Sequence, residues 1–209
     1  MSIATGPSVV TNGLIMCMDN ANPRSYSGAG ASWDDVVTDV PFSSSINYTW
    51  ANNITAITII VCLEKTGTTT GYASHPVNKW NGGTSNASFV LYHFGDFQGN
   101  GNDGSFYWYY TATSSWLGQP VARLTVGQKM FTAFQWNSTT GGQTWYNNTI
   151  ASGRSNSGTL GVNGTSGINI SGPTSDGHTK VNYISFYSRD LSDAEILQNF
   201  NALKGRYGL

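Results

Sequence analysis

Short apolar segments in which every second residue is hydrophobic constrain the fold of this 209-residue chain more than any other feature. In the clearest of them, residues 54–64, isoleucine, valine or leucine stands at every second position from Ile57 to Leu63. This alternation is typical of a β-strand, because successive side chains of a strand point to opposite faces of its sheet. Other strand-like segments, separated by turns rich in Gly, Asn and Ser, lie at residues 13–19, 88–95, 105–111, 129–137, 143–151 and 179–188. About ten short strands of this kind predict an all-β, two-sheet antiparallel sandwich.

The composition excludes several other classes of protein. Charged residues make up only 10% of the chain, against about 25% in an average soluble domain, and helix-favouring residues are scarce. A helical bundle or a coiled coil is therefore excluded. A net charge of -1 and an aromatic content of 13% argue against disorder, which needs high charge and few aromatics. The ten Lys and Arg residues are dispersed, so no basic surface for nucleic acid is expected.

The C-terminal segment has a different pattern, which predicts the one helix of the chain. Ser192 and Glu195 are spaced as a capping box, in which each side chain bonds to the backbone of the other residue. An apolar stripe follows at helical spacing, and Gly205 is a plausible end point. We expect a helix over about residues 192–205 that packs on the sandwich. The chain then divides into an N-terminal arm, residues 1–12, and a single domain, residues 13–209.

Neither the N-terminus nor the cysteines indicate export or a metal site. The N-terminus lacks the basic and apolar regions of a signal peptide, and the longest apolar segment falls well short of the about 20 residues that span a bilayer. We therefore expect synthesis in the cytoplasm and no membrane insertion. Cys17 and Cys62 lie in apolar segments without metal-ligand spacing, so we expect two buried thiols. A disulfide between neighbouring strands is the alternative.

Four segments carry a resemblance to a known family. Residues 136–148, with two tryptophans, a Gly pair and a Tyr-Asn-Asn turn, resemble the central hairpin of laminin-G-like and concanavalin-A-like jelly rolls. Residues 181–196 resemble the last strand of that family and its exit, Tyr-x-Arg-x-Leu-Ser-x-x-Glu-Ile. Residues 13–35 and 198–207 are similar to the bacteriophage branch of these domains. Asn148 departs from the pattern, which has Gly at that place.

The resemblance implies a jelly-roll fold and a non-enzymatic structural protein of a bacteriophage virion. The simplest such role is a capsid-surface decoration, or cement, subunit. The alternative is a tail or fibre adhesin, that is, a lectin-like module that binds carbohydrate. The implied partners are other virion proteins, such as capsid or tail subunits, together with host-surface glycans in the case of the adhesin. The expected location is the virion.

Enzymatic chemistry has little support in the residues themselves. Glucanases of the jelly-roll type need carboxylates that alternate on one strand, about 5 Å apart for retaining chemistry. Glu64 and Glu195 are the only glutamates of the chain and are far apart in sequence, and no Gly-x-Ser-x-Gly elbow is present. We therefore expect no catalytic residue and no activity.

The aromatic strand at residues 105–111 offers the best candidates for carbohydrate binding. Aromatic residues stand on both of its faces, so some rings are expected to lie outside the core. Trp108, Tyr110 and the nearby Trp116 are the predicted sugar-stacking residues. The alternative is that all of these rings pack inside the sandwich or at an interface.

Two further kinds of site are weaker candidates. No cofactor is expected, but Ca²⁺ prefers oxygen ligands from loops, and the loop after residue 95 supplies Asp96 and Asp103 together with asparagines. A second candidate set of Ca²⁺ ligands is Asp19 with either Asp176 or Asp190. For both sets, the alternative is that these residues are solvated turn residues without a metal.

Separately, the segment before Gly13 has an apolar character that suggests a docking arm for other subunits. Its predicted contact residues are Ile3, Val9 and Val10.

Overall fold

A computed structural model describes residues 7–26, 28, 33–37, 40–42, 45–46, 54–68, 74–80, 87–95, 104–112, 115–158, 160, 167–170 and 178–209. These residues form two six-stranded antiparallel sheets, a two-stranded ribbon and one helix at the C-terminus. The prediction of an all-β sandwich with a single C-terminal helix is therefore confirmed.

Fourteen strands and one helix occur in the described part of the chain. They are β1 (Leu14–Asp19), β2 (Trp33–Asp35), β3 (Val40–Phe42), β4 (Ser45–Ile46), β5 (Ala56–Lys65), β6 (Ser74–Trp80), β7 (Ala87–His93), β8 (Ser105–Ala112), β9 (Ser115–Arg123), β10 (Lys129–Asn137), β11 (Gly141–Tyr146), β12 (Thr149–Ser155), β13 (Ile168–Ile170), β14 (Thr179–Tyr187) and α1 (Asp193–Tyr207). The first sheet has the order β1-β14-β5-β10-β11-β12, and the second has the order β4-β13-β6-β7-β8-β9. The ribbon pairs β2 with β3.

The main core lies between the two sheets. Every second residue of β5, among them Ile59 and Val61, is fully buried against aromatic side chains of the second sheet. Trp108 of β8 crosses this space, stacks on Phe134 with a centroid distance of 5.4 Å, and donates its indole N–H to the Thr132 hydroxyl at 2.9 Å. The hydrogen bond satisfies the polar atom that a buried tryptophan carries.

A second core lies on the outer face of the first sheet, beneath α1. The alternate residues of β5, Ile60 and Cys62, pack there with Tyr187 of β14 and with Ile196 and Leu203 of the helix. This arrangement buries β5 on both faces, which explains why the segment is almost continuously apolar. The helix completes a three-layer structure of helix, first sheet and second sheet.

The two cysteines belong to this second core as free thiols. Cys17 and Cys62 are both buried and unpaired, so the expectation of buried thiols is confirmed and the disulfide alternative is wrong. Burial raises the pKa of Cys17 to about 12, and it raises that of Cys62 well above its usual value. A thiol that stays protonated is a poor nucleophile, which suits a packing role.

The predicted capping box is present at the start of α1. Glu195 accepts a hydrogen bond from the Ser192 backbone N–H at 2.8 Å, and the Ser192 hydroxyl accepts one from the Glu195 backbone N–H at 3.4 Å. Arg189 adds a two-pronged contact, with N–O distances of 2.9 and 2.5 Å to the same carboxylate. The helix runs two residues beyond the predicted end, because Gly208, with φ of 65°, adopts the left-handed conformation that Gly205 was expected to supply.

The N-terminal arm packs against its own chain. The Val10 backbone N–H donates to the Asn199 side chain at 2.8 Å, and its carbonyl accepts from the Tyr187 hydroxyl at 3.0 Å. Val10 is buried beneath α1, and Val9 packs against the same cluster. The prediction that these two valines dock on another subunit is therefore wrong, since their apolar surface is used within the chain. Ile3 lies outside the described residues.

The capping box gives a testable pH dependence. The Arg189 guanidinium, together with the Ser192 hydrogen bonds, lowers the pKa of Glu195 from 4.5 to about 2. A lowered folded-state pKa stabilises the protein above the unfolded-state pKa, and this contribution disappears as the pH falls towards 2. We expect Glu195→Gln to be less stable than the parent by about 1 kcal/mol near pH 7, with the difference vanishing between pH 4.5 and 2. Urea unfolding across this range measures the difference.

Glu64→Gln is the control, because it removes the same charge from the chain outside the capping box. A destabilisation by Glu195→Gln that stays constant down to pH 2 would contradict the assignment.

Candidate functional site

Five half-buried rings form an aromatic patch on the outer face of the second sheet. The patch consists of His75 from β6, Tyr92 from β7, Phe94 directly after the end of β7, and Tyr107 and Tyr109 from β8. Alternation along the strands places these residues opposite the core-facing side chains. The site therefore lies on the side of the sandwich remote from α1.

The rings of the patch are in contact with one another. Tyr107 and Tyr109 stack with a centroid distance of 5.9 Å, and Tyr92 meets Tyr109 edge-on at 5.4 Å. Phe94 lies 5.3 Å from Tyr107, and His75 lies 4.8 Å from Tyr92. These separations fall in the range of favourable aromatic pairs. The patch is thus one continuous surface.

Strand register brings the rings together. Tyr92 pairs with Tyr107 across β7 and β8, and Tyr107 in turn pairs with Pro120 of β9. In the next row, Tyr109 pairs with Gly118. Aromatic residues on neighbouring strands of one face meet directly, and each such pair contributes to the stability of the sheet.

Gly118 is required for the position of the Tyr109 ring. A Cβ atom at position 118 would lie 2.5 Å from Cε1 of Tyr109 and 2.8 Å from its Cζ. The ring therefore lies over the backbone of β9, in space that any side chain would occupy. β9 is an edge strand, and an aromatic ring that covers an edge glycine is a known device for fixing register.

Amide groups border the patch on β6 and β13. Val90 pairs with Tyr109 on one side and with Asn78 on the other, so Asn78 lies in the same row of the sheet. Asn78 accepts a hydrogen bond from the Asn169 side chain at 3.3 Å. Both amides are half-buried. The site combines aromatic faces with hydroxyl and amide groups at its margin.

Burial shifts the pKa values of Tyr109 and His75 in the directions that favour their uncharged forms. Burial raises the pKa of Tyr109, and the neighbouring hydroxyls of Tyr107 and Tyr92 raise it further. Burial lowers the pKa of His75 below 6.5. The surface is therefore suited to ligands with weakly polarised C–H groups, which are attracted to the negative faces of aromatic rings.

The structure places two of the three predicted sugar-stacking residues in the core. Trp108 and Tyr110 are fully buried between the sheets, and the Tyr110 ring lies 5.1 Å from that of Trp136. The prediction for these two residues is wrong, because the face of β8 that carries them is the inner one. Trp116 occupies the position of β9 that pairs with Thr111, and its side chain is outside the described set.

The patch residues that the prediction missed are Tyr107 and Tyr109, on the opposite face of the same strand. One sequence signal could have identified them. The inner face reads Phe-Trp-Tyr and the outer face reads Tyr-Tyr, so the outer face carries proportionally more hydroxyl groups. Because tyrosine is suited to surfaces with one wet side, this difference favours the outer face as the exposed one.

The carboxylates proposed for Ca²⁺ are not brought together where the structure describes them. Asp19 is bound by Arg206 and by the Tyr207 hydroxyl, whereas Asp190 pairs with Arg154 at 2.8 Å. Each carboxylate thus has its own partner, and the proposed pairing of Asp19 with Asp190 is wrong. The other candidates, Asp96, Asp103 and Asp176, lie outside the described residues.

Searches for a metal cluster and for a membrane span found neither in the part of the chain that the structure describes. No group of three His, Cys, Asp or Glu side chains there could hold a metal ion. Over the same residues, no helix has both the length and the apolar character needed to cross a bilayer.

Comparison with known proteins gives structural similarity alone. No protein-family model and no curated protein matches the chain. The sialidase of Trypanosoma rangeli is similar with a TM-score of 0.61 and 15% identity, over 96% of this chain and 36% of the sialidase. The same enzyme in complex with a difluoro-nononic acid gives a TM-score of 0.60 at 15% identity. That match covers 97% of this chain and 36% of the sialidase.

A structure of botulinum neurotoxin type C, described with two ganglioside molecules, is similar with a TM-score of 0.53 and 10% identity. The match covers 74% of this chain and 37% of the toxin chain. This chain therefore spans about a third of the length of these proteins. Such similarities support the jelly-roll-like sandwich, and they show the fold alone.

The expectation that the chain is not an enzyme is contradicted by these comparisons. Structures that resemble nearly all of it belong to sialidases, so its fold occurs within enzyme chains. The sequence argument excluded only glycosidases with paired carboxylates on one strand and hydrolases with a Gly-x-Ser-x-Gly elbow. Because the match spans about a third of each sialidase, it carries no sialidase activity over to this chain.

The contact between Gly118 and Tyr109 gives a test of the patch geometry. We expect Gly118→Ala to displace the Tyr109 ring, because the new methyl group would lie 2.5 Å from Cε1. The displaced ring gains water, so the raised pKa of Tyr109 should fall towards its usual value of 10. Tyrosine-selective NMR across a pH titration measures this shift.

Gly153→Ala is the matched control, since no atom lies within 4 Å of the Cβ it would add. Tyr109 signals that are the same in both variants and in the parent would refute the proposed contact. Both variants should lose no more than about 1 kcal/mol of stability, so each can be studied in the folded state.

Proposed function

We propose that this protein is a glycan-binding adhesive module and that the aromatic patch is its binding surface. The observation that carries the proposal is the continuous set of five half-buried rings on the outer face of the second sheet. Contiguous apolar surface rimmed by polar residues is typical of interaction sites and ligand-binding grooves. Two structural neighbours support a sugar ligand, since one is bound to a nononic acid derivative and the other is described with gangliosides.

The chemistry of the patch suits a sugar ring. One face of a pyranose presents C–H groups, which stack on aromatic faces, and its edge presents hydroxyls that need hydrogen-bond partners. Tyr107 and Tyr109 supply aromatic faces that carry hydroxyls, and Asn78 lies in the same row of the sheet as Tyr109. Tyrosine has few rotatable bonds, so little side-chain entropy is lost on binding.

The low charge of the chain favours the same mode of recognition. Only 10% of its residues are charged, and burial favours the uncharged forms of His75 and Tyr109 in the patch. Removing charged groups from water is the costly part of polar recognition, and a ligand that binds at the rings desolvates few of them. The module would bind by shape, ring stacking and hydrogen bonds.

We further propose that the module acts on a bacteriophage particle, as a tail or fibre adhesin. The support for this setting is the resemblance of residues 13–35 and 198–207 to phage domains of this shape. A capsid decoration subunit is the second candidate, favoured by the same low charge, with the patch then facing a capsid protein. The two roles differ in copy number, since a decoration subunit is abundant on the particle and an adhesin is rare.

Substitution of the patch tyrosines tests glycan binding. We expect Tyr107→Ala and Tyr109→Ala each to weaken binding about tenfold or more, because each removes a stacking face from the centre of the patch. A glycan array identifies the oligosaccharides that the parent binds, and isothermal titration calorimetry then gives the affinities.

Tyr26→Ala is the control, since it removes a half-buried tyrosine from the turn after β1 and leaves the patch intact. Far-UV circular dichroism shows whether each variant is folded. The proposal fails if the parent binds nothing on the array, or if the two patch variants bind as the parent does.

Washing of purified phage particles tests the particle setting. In about 1 M NaCl the Debye length is about 3 Å, so attachment through ion pairs would be lost. We expect the protein to remain on the particle, because a chain with so few charges must attach mainly through apolar contacts and hydrogen bonds. Quantitative mass spectrometry before and after the wash measures retention and copy number together. Release by salt would contradict the proposed mode of attachment, and absence from the particle would refute the setting.

A further inference from the structure

We infer that the glycan bound at the aromatic patch carries an anionic group, and that Arg123 holds it. The inference rests on the proposed function, since it concerns the ligand of the same surface. Its basis is the placement of Arg123, the lack of a partner for Arg123 among the described residues, and the charge of the strands around it.

Strand register places Arg123 beside the aromatic patch. Arg123 pairs with Ser105 of β8, and the Phe94 backbone N–H donates to the Ser105 carbonyl at 2.9 Å. Arg123, Ser105 and Phe94 therefore form one row across the sheet. Tyr107 lies in the next row, and diagonal neighbours on one face of a sheet are about 7–8 Å apart. An arginine side chain can span that distance.

The neighbours of Arg123 in sequence show that it lies on the patch side of the sheet. Leu124 is buried in the core between the sheets, and Ala122 packs against that core. Arg123, between them, is exposed. Side chains of a strand alternate, so the exposed guanidinium is on the same face as Tyr107.

Arg123 has no hydrogen bond or ion pair among the residues that the structure describes. Three other arginines, in contrast, each bind a carboxylate: Arg154 binds Asp190, Arg189 binds Glu195, and Arg206 binds Asp19. A guanidinium has five N–H donors in a planar fork that fits a carboxylate, a phosphate or a sulfate. Within the described ranges, no protein acceptor binds those donors of Arg123.

The strands around the patch contain no competing acidic residue. The sequence from β6 to β9 includes no Asp or Glu within the strands themselves, and it includes two cations, Lys79 and Arg123. Lys79 is 1% exposed, so Arg123 is the accessible cation of these four strands. An anionic substituent on a sugar stacked on Tyr107 would thus meet the accessible cation of these four strands.

The shared ligand chemistry is an oxyanion on a sugar, whether a carboxylate, a sulfate ester or a phosphate ester. Contact at an exposed arginine adds a modest, salt-dependent attraction, while ring stacking is common to charged and neutral sugars. We therefore expect a preference for the anionic form over an otherwise identical neutral form.

The experiment uses matched sets of oligosaccharides on one array, each core in neutral, carboxylated, sulfated and phosphorylated form. For the best-bound core, calorimetry measures the affinity of each form for the full chain. We expect an anionic form to bind about tenfold more tightly than the neutral form at low salt. The preference should shrink as NaCl is raised, and the tightest form identifies the anion.

Arg123→Gln should abolish the preference and leave the affinity for the neutral form unchanged. Lys129→Gln is the control, because it removes the same charge from the first sheet, where the Lys129 ammonium lies near Gly208 at the end of α1. Both positions are exposed, so both variants are expected to fold.

The possible failures are distinguishable. Equal binding of neutral and anionic forms by the parent overturns the inference while the proposed glycan binding stands. A preference that survives Arg123→Gln also overturns it. Binding of no form at all overturns the proposed function together with the inference.

Discussion

The burial of β5 on both of its faces is the constraint on which the rest of the structure depends. Ile59 and Val61 face the second sheet, and Ile60 and Cys62 face α1. A strand without a solvent-facing side requires cover on both sides of the first sheet, and the described part of the chain has one helix to supply it. The helix and the N-terminal arm cover the first sheet, so the outer face of the second sheet carries the aromatic patch instead. The location of the candidate site thus follows from where the helix packs.

The two sides of the molecule consequently differ in chemistry. On the helix side, the described arginines are paired within the chain: Arg189 anchors the start of α1 through Glu195, and Arg206 near its end binds Asp19 of β1. These pairs attach the C-terminal helix to strands far away in sequence, where they fix geometry. On the patch side, Arg123 is exposed and forms no such pair with any residue that the structure describes. Charge serves internal structure on one side and remains accessible to a ligand on the other.

The elements that sequence predicts well are those with a local physical cause. The β5 segment and the capping box of Ser192 and Glu195 are specified by neighbours within a few residues, and both are present. The end of α1 was placed at Gly205 because the sequence alone does not show which glycine adopts a positive φ. The face of β8 has no local cause either, since Trp108 and Tyr109 alternate in the same strand. Which of them is buried depends on the partner sheet, and the prediction therefore selected the wrong face.

Because the fold is shared with proteins of different activity, function here depends on the surface and not on the architecture. The contact between Tyr109 and Gly118 therefore bears on ligand binding as well as on stability. The Tyr109 ring lies over the backbone of β9, and contacts with Tyr107 and Tyr92 restrict its movement further. A surface ordered before the ligand arrives loses less conformational entropy on binding than a set of free side chains. A preorganised platform of tyrosines can therefore bind a weakly interacting ligand such as a sugar with a small number of contacts.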